Sequence, residues 1–358
     1  MIPLLFILIN VPVIIFIGLA YGLIPYLTRP ELVFGIRIKG DVYNQKIKSM
    51  KFKNLLIDLL ISIIFTLLTL ILYVYINIIV LLILPLTEII LVLLVYFYFR
   101  SHVRLLKINL EDNQKVISSY IPKSNIKVSL LWYVFPWIEL MFFIIIGIIY
   151  YPHIPSRFPT HFGLSGKPNE YASKSPYSAF FLMLFVGVPV TVVFDVLSYA
   201  IQRSAAGNSP TKKSLIQFRS FNTGMVKLLM GINLIIILNM FLAAAITWEL
   251  IPKSYIFIIA LPVLLIFPLI LWYSVTTGQT GWKKYPYLKD NEHDNNIEDD
   301  KEWAGGLIYH NKEDNRILVP KRYGIGYTLN FSNRWSYIIL IIIFAVIIIS
   351  LLIALLHP

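Results

Sequence analysis

Long runs of Ile, Leu, Val and Phe alternate along this chain with short segments where Lys, Arg, Pro, Gly and Asn gather. A run of about 20 apolar residues crosses a ~30 Å hydrocarbon core as an α-helix. About eight such runs are read, at residues 3–24, 55–75, 78–98, 128–150, 177–201, 225–248, 255–276 and 337–356. They lack the ~10-residue alternating segments of a transmembrane β-barrel. The pattern predicts an all-α polytopic membrane protein, with its second and third spans joined so briefly that they form an antiparallel hairpin.

The polar segments divide the chain further. Residues 1–127 form an N-terminal membrane region of three spans with basic loops. Residues 128–202 hold two spans flanking a Pro- and Gly-rich loop at 151–175, and residues 203–276 hold two more. The segment 277–336 is the only sizeable soluble piece, and 337–358 is the final span. Residues 289–300 are acidic and polar, a composition that does not bury a core. Within a module at 303–331, the β-rich runs 306–310 and 316–320 enclose the turn-like 311–315, which predicts a β-hairpin between them.

Charge then orients the spans. Of 358 residues 58% are hydrophobic and only 14% charged, against about 25% in soluble domains. The net charge is +12. Counted along the sequence, 26 basic residues fall in the segments after the first, third, fifth and seventh spans and 4 in the alternate loops, with Lys227 at a span end. The positive-inside rule makes the basic segments cytoplasmic, the 151–175 loop extracellular and both termini extracellular, in a plasma membrane. The basic residues are read as contacts with anionic lipid, not nucleic acid. The N-terminus has no basic stretch before its apolar run and is read as a retained span. With no cysteine, disulfides, thiolate metal sites and cysteine nucleophiles are excluded.

Candidate chemistry lies in three places. In the outer loop Pro155 and Pro159 restrict the backbone, which lowers the entropy cost of presenting a surface. His153 and His161 share that loop. A role for His161 in holding the loop is preferred to partner contact or pH sensing, and a metal comes last because no third ligand is evident. Within the spans, Glu88 and Glu139 each follow a proline by three residues, Pro85 and Pro136. A carboxyl beside a proline-broken helix resembles the way transporters build ion sites. Asp195 lies deeper in the fifth span, with Lys227 as a candidate partner. A charge at the bilayer centre costs roughly 2.5–3.5 kcal/mol, so these groups are expected to face inward, as polar contacts between helices, as a proton or cation path, or as the lining of a binding cavity. Gly163-Leu-Ser-Gly166-Lys167 is too short for a phosphate-binding loop. No catalytic set assembles on one side of the membrane, so no enzyme, metal or cofactor is expected.

The pattern Tyr151-Pro-x-x-Pro155-x-x-x-Pro159-Thr160-His161-Phe162-x-x-x-Gly166-x-Pro168-x-x-Tyr171-x-x-Lys174 resembles the uncharacterised membrane domain shared with the Sdp-type immunity proteins. The pattern Trp303-x-Gly305-Gly306-x-x-Tyr309-x-Asn311-x-x-Asp314-x-Arg316-x-x-Val319-Pro320-Lys321-Arg322-x-Gly324-x-Gly326-x-x-x-Asn330-Phe331 is similar to a small uncharacterised domain that often follows it. Leu32-Val-Phe-Gly-Ile-Arg37 also resembles these proteins. The resemblance implies a prokaryotic integral membrane protein that is not an enzyme. Some relatives protect the cell from a secreted toxic peptide and signal its presence to a repressor. The expectation is therefore a sensor or immunity protein. Its outer loop, with Pro159, Thr160, His161, Phe162, Gly166 and Lys174, meets a peptide or envelope ligand. Its inner module reports to a cytoplasmic regulator. A proton- or cation-coupled transporter using Glu88, Glu139 and Asp195 is the alternative.

Overall fold

The computed structural model describes residues 2–38, 45–72, 78–108, 126–162, 168–204, 212–286, 300–341, 344–345 and 348. Seven of its helical stretches are long and apolar enough to cross a membrane. They are α1 (Ile2–Leu27), α2 (Gln45–Leu72), α3 (Ile78–Ile108), α4 (Leu131–Tyr150), the stretch formed by α5 (Pro176–Phe181) and α6 (Val188–Gln202), α7 (Lys212–Thr247) and α8 (Ala260–Thr277). The chain is a polytopic all-α membrane protein carrying small β-hairpins. The eighth predicted span lies largely outside the described residues, although 334–341 are helical. The acidic segment 289–299 also lies outside them.

The peripheral spanning helices keep many large apolar side chains on the outside, whereas α7, packed by α4, α6 and α8, buries Phe218, Phe221, Met230 and Ile237. On α2, Leu60, Ile63, Leu67 and Ile71 are exposed while Asn54, Asp58, Ser62 and Thr69 are buried. That inversion is what a lipid solvent produces, since exposed apolar groups cost nothing there and polar groups must find partners inside. α1 packs against α2, α3 and α8, whereas α4, α6 and α8 pack against α7. The first three helices thus form one bundle and the remainder a second, with α1 and α8 at the seam, where the Phe16 and Phe267 rings lie 4.9 Å apart.

Two sequence expectations change here. α3 and α4 run unbroken through Pro85 and Pro136. The irregular turn falls instead at Leu182–Gly187, a π-helical segment joining α5 to α6. Wider turns of this kind arise where one residue is inserted into a helix. Secondly, α2, α3 and α7 continue well past their apolar runs on the basic side, so α7 reaches 36 residues. At 1.5 Å per residue that is about 54 Å, longer than the hydrocarbon core.

Among the described residues there are four antiparallel strand pairs: β1 (Leu32–Val33) with β2 (Ile36–Arg37), β3 (Arg157–Phe162) with β4 (Pro168–Ser173), β5 (Trp303–Ala304) with β6 (Ile308–Tyr309), and β7 (Leu318–Pro320) with β8 (Tyr327–Leu329). The inner module is therefore two hairpins, not the single pairing of 306–310 with 316–320. Gly305 and Gly306, both with positive φ, turn the chain back before β6, and Gly324 and Gly326 do the same before β8. A residue with φ > 0 favours glycine strongly, and these pairs dictate where the chain reverses.

Candidate functional site

The outer loop is a hairpin seated on an aromatic floor. Phe158 of β3, 2% exposed, packs with Ile154 against Ala179 and Phe180 of α5 and Trp248 at the end of α7. Trp248 is 1% exposed, and its indole Nε1 donates to the Ala179 carbonyl at 3.0 Å. The Phe143 ring of α4 stacks on Phe241 of α7 at 4.1 Å. Gly147 of α4 is needed for this floor, because a Cβ there would lie 2.6 Å from both Phe180 and Trp248. Ser175 and Ser178 cap α5 reciprocally and fix where the hairpin ends.

Within the hairpin, Pro159 pairs with Tyr171 and His161 with Glu170, so Thr160 is an extra residue, a β-bulge. Pro159 is buried and Thr160 exposed; Pro155 is half-buried and His153 is exposed, stacking on Tyr150 at 5.4 Å. His161 and Phe162 occupy β3, their side chains lying outside the described residues, as does Gly166. Lys174 closes the base: its backbone N–H donates to Ser156 at 2.8 Å, its Nζ donates to the Pro152 carbonyl at 3.1 Å, and Nζ sits 4.8 Å from the Tyr151 ring centre. Those contacts make it a clasp of the loop.

The intramembrane carboxyls fall into two groups. Glu88 of α3 is fully buried and hydrogen-bonded to Ser62 of α2, whose hydroxyl also lies 3.2 Å from the Ile14 carbonyl of α1. Asp58, one turn before Ser62, is 1% exposed and accepts from the Asn54 amide at 2.9 Å. The sequence reading did not single out Asp58, although Asn54, Asp58, Ser62, Thr66 and Thr69 recur at helical spacing along one face. Glu139 and Asp195 belong to the second bundle. Asp195 accepts from Trp137 Nε1 at 2.9 Å, and Lys227 lies 5.6 Å from the Trp132 ring centre. The expected Asp195–Lys227 pair is thus not formed: each side chain has an aromatic neighbour from α4. Glu88, Asp58, Glu139 and Asp195 each keep one buried oxygen without a hydrogen-bond partner among the described residues. No group of three or more metal-ligating side chains occurs among them either.

On the basic side the module is locked to the helices. The β1–β2 turn places Phe34 against Phe99 and Tyr323. Tyr96 donates to the Gly305 carbonyl at 2.8 Å and Arg100 to the Phe34 carbonyl at 2.9 Å. A Cβ on Gly306 would meet Arg100 Nη1 at 2.5 Å, so only glycine lets the backbone lie this close. Asp300 binds Arg322, accepts from Lys107 Nζ at 2.8 Å and receives the Arg37 N–H at 3.5 Å, tying module, α3 and β2 together. Tyr327 binds Asn222 of α7 and Ser204, and Gln279 bridges the Arg29 N–H and the Lys321 carbonyl. Burial raises the Tyr323 and Tyr327 phenols, keeping them neutral.

Inside the module, Asn330 is fully buried and all its side-chain contacts are to backbone. It donates to the carbonyls of Asn311 (2.9 Å) and Asp314 (2.7 Å) and accepts from the N–H groups of Asn311 (3.2 Å) and Ser332 (3.1 Å). The Trp303 and Tyr309 rings lie 4.9 Å apart, and Tyr309 donates to Asp314 at 3.0 Å. Burial alone would raise the Asp314 carboxyl; its hydrogen bonds and ion pair with Arg316, at 2.6 Å, outweigh that and hold it below the ordinary range. Pro320 ends β7.

The fold and these sites define a polytopic helical membrane protein whose β-hairpins dock onto its helix ends. Residues 140–187, covering the outer hairpin and its flanking helices, match a domain of unknown function (DUF1648). Residues 312–337, the second half of the inner module, match a family of unknown function (DUF5808). No curated protein and no solved structure matches the chain.

Proposed function

We propose that this chain is a non-enzymatic plasma-membrane sensor of the immunity type. The hairpin at 151–175 engages a secreted peptide or envelope ligand outside, and the docked module passes that event to a cytoplasmic regulator. The observation that carries this reading is α7. A single helix packs Phe241 and Ala244 into the hairpin floor and holds Tyr327 of the module through Asn222. A shift of the floor by a ligand is therefore felt at the other end without a flexible joint between. The similarity of the outer loop to that of Sdp-type immunity proteins supports the same reading, and the distribution of basic residues supports its orientation.

A growth challenge with secreted peptides tests the function, comparing deletion with overexpression; equal survival overturns the immunity role. Orientation is tested with Thr160→Cys and Asn315→Cys, both exposed positions in a cysteine-free chain. An impermeant thiol reagent on intact cells is expected to label the first and spare the second.

Coupled transport is the second reading. It is favoured by the one buried oxygen that each of Glu88, Glu139 and Asp195 keeps without a hydrogen-bond partner among the described residues. Glu139→Gln abolishes proton-coupled flux in a transporter and leaves the ligand response of a sensor intact.

A further inference from the structure

The bundle of α1, α2 and α3 holds more hydrogen-bond acceptors than its own donors satisfy. Asn54 and Asp58 are each 1% exposed, Ser62 is 3% exposed and Glu88 is fully buried. Asn54 uses its amide nitrogen on Asp58 Oδ2 at 2.9 Å, which leaves its carbonyl Oδ1 buried with no partner among the described residues. Asp58 Oδ1 and Glu88 Oε2 are orphaned in the same way. Ser62 has one hydroxyl proton and two acceptors in reach, the Ile14 carbonyl and Glu88 Oε1. Three buried oxygens thus lack a donor, and two carboxyls stand within electrostatic range of each other. An unmet acceptor in a membrane interior costs several kcal/mol, so such a set calls for missing positive charge.

The surrounding groups do not supply it. Tyr21 of α1 and Tyr96 of α3 lie within electrostatic range of Tyr323 of the module, as Asp58 does, and these three tyrosines are phenols that bring no positive charge. Arg100 donates to Phe34 and Arg322 binds Asp300. Lys51 lies on α2 itself, one turn from Asn54 and two from Asp58 on the basic side, and it forms no hydrogen bond or ion pair with either among the described residues. Close packing keeps the seam narrow: a Cβ on Gly18 of α1 would fall 1.9 Å from Ser62 Oγ, and one on Gly22 would fall 2.8 Å from Leu55. A small ion fits this description and an organic cation does not.

We infer that Asn54, Asp58, Ser62 and Glu88 form an intramembrane binding site for one small monovalent cation, a proton or Na⁺. Na⁺ would take the oxygens of Asn54, Asp58 and Glu88; a proton would sit on a carboxyl and turn an orphaned acceptor into a donor. The site goes beyond both readings above, since occupancy stabilises this bundle whether or not the ion is carried across.

The test is equilibrium binding to the full-length chain in lipid nanodiscs. ²²Na⁺ binding is measured in a choline background across a pH series, with infrared spectra of the carboxyl stretch taken in parallel. If Na⁺ is the occupant, binding saturates at one ion per chain, weakens as pH falls, and drops more than tenfold in Asp58→Asn and Glu88→Gln. If the proton is the occupant, Na⁺ does not bind, and a titrating carboxylic-acid band disappears in Glu88→Gln. Ser62→Ala, a milder change, is expected to weaken either signal about tenfold, or about 1.4 kcal/mol, and covers the case in which a carboxyl variant does not fold. The exposed Glu249→Gln leaves both signals unchanged. Absence of both signals in wild type, or their persistence in all three seam variants, overturns the site. Binding without flux keeps the site and removes only the transport reading.

Discussion

The two ends of this molecule hold their hairpins by opposite means. At the 151–175 end, β3 packs through its Phe158 onto Phe180 and Trp248, an apolar floor in which the indole N–H is a principal polar contact. At the opposite end, the hairpins of the module are pinned by Asn330, Asp314, Arg316 and Asp300, each engaged with named backbone or side-chain partners. Apolar burial leaves the polar rim of the outer hairpin open, and Thr160 on its bulge faces outward. The inner motif residues face one another. Their identities follow from the demands of the fold, whereas nothing in the packing of the outer hairpin requires a threonine at the bulge. Recognition chemistry is thus better sought at the outer end.

The comparison breaks most easily at Trp248. Trp248→Ala is expected to cost about 3–5 kcal/mol by opening a cavity under the hairpin. Protease cleavage within 151–175 reports it, with the inner module still protected; loss of both ends together would show that α7 fails as a unit. Asn330→Ala comes next, at roughly 3 kcal/mol, because four backbone groups lose a buried partner at about 1 kcal/mol each and part of that is recovered by water. Cleavage near 311–315 is its readout, with the outer hairpin intact.

Asp314 gives a smaller, pH-dependent effect. Its carboxyl is held below the ordinary value of about 3.9, so its contribution is fully present above that value and is lost as pH falls through the lower folded one. Acid is expected to loosen the inner module, and Asp314→Asn to remove about 1 kcal/mol at neutral pH while flattening the acid dependence of proteolysis. Smallest in stability is Thr160→Ala, within about 0.5 kcal/mol. If the sensor reading holds, this variant nonetheless weakens the response to ligand in the growth challenge.

The spans were legible because a lipid interior imposes long apolar runs that nothing else in a sequence imitates. The helical extensions on the basic side were not. Lys212–Phe221 is polar and charged enough to read as a loop, and its helix is sustained by contacts to residues far along the chain, as when Gln217 donates to the carbonyls of Trp282 and Lys284. Strand pairing in the module failed for a related reason. Strands of two or three residues carry almost no alternation, and the glycine pairs at 305–306 and 324–326, not the polar run at 311–315, mark the reversals. That run is a loop organised by Asn330. Glu88 was visible as a carboxylate inside an apolar run. Asp58 sat near the edge of its run, where a charged residue excites no suspicion, and only the four-residue rhythm from Asn54 to Ser62 betrays that it points into the bundle.

The docking of the first turn against the last module also fixes an order of events. Arg29 meets Gln279, 250 positions later. At about 5–20 residues per second, a ribosome delivers that partner roughly 12–50 s after Arg29 itself. Once α3 has been made, and until the module follows, the Phe34 turn has α3 to lean on and no module above it. Assembly of the face that carries the module therefore waits for the last hairpins to be synthesised, and a chain truncated before them leaves Phe34, Tyr96 and Phe99 as a newly uncovered aromatic patch for quality-control proteases to find.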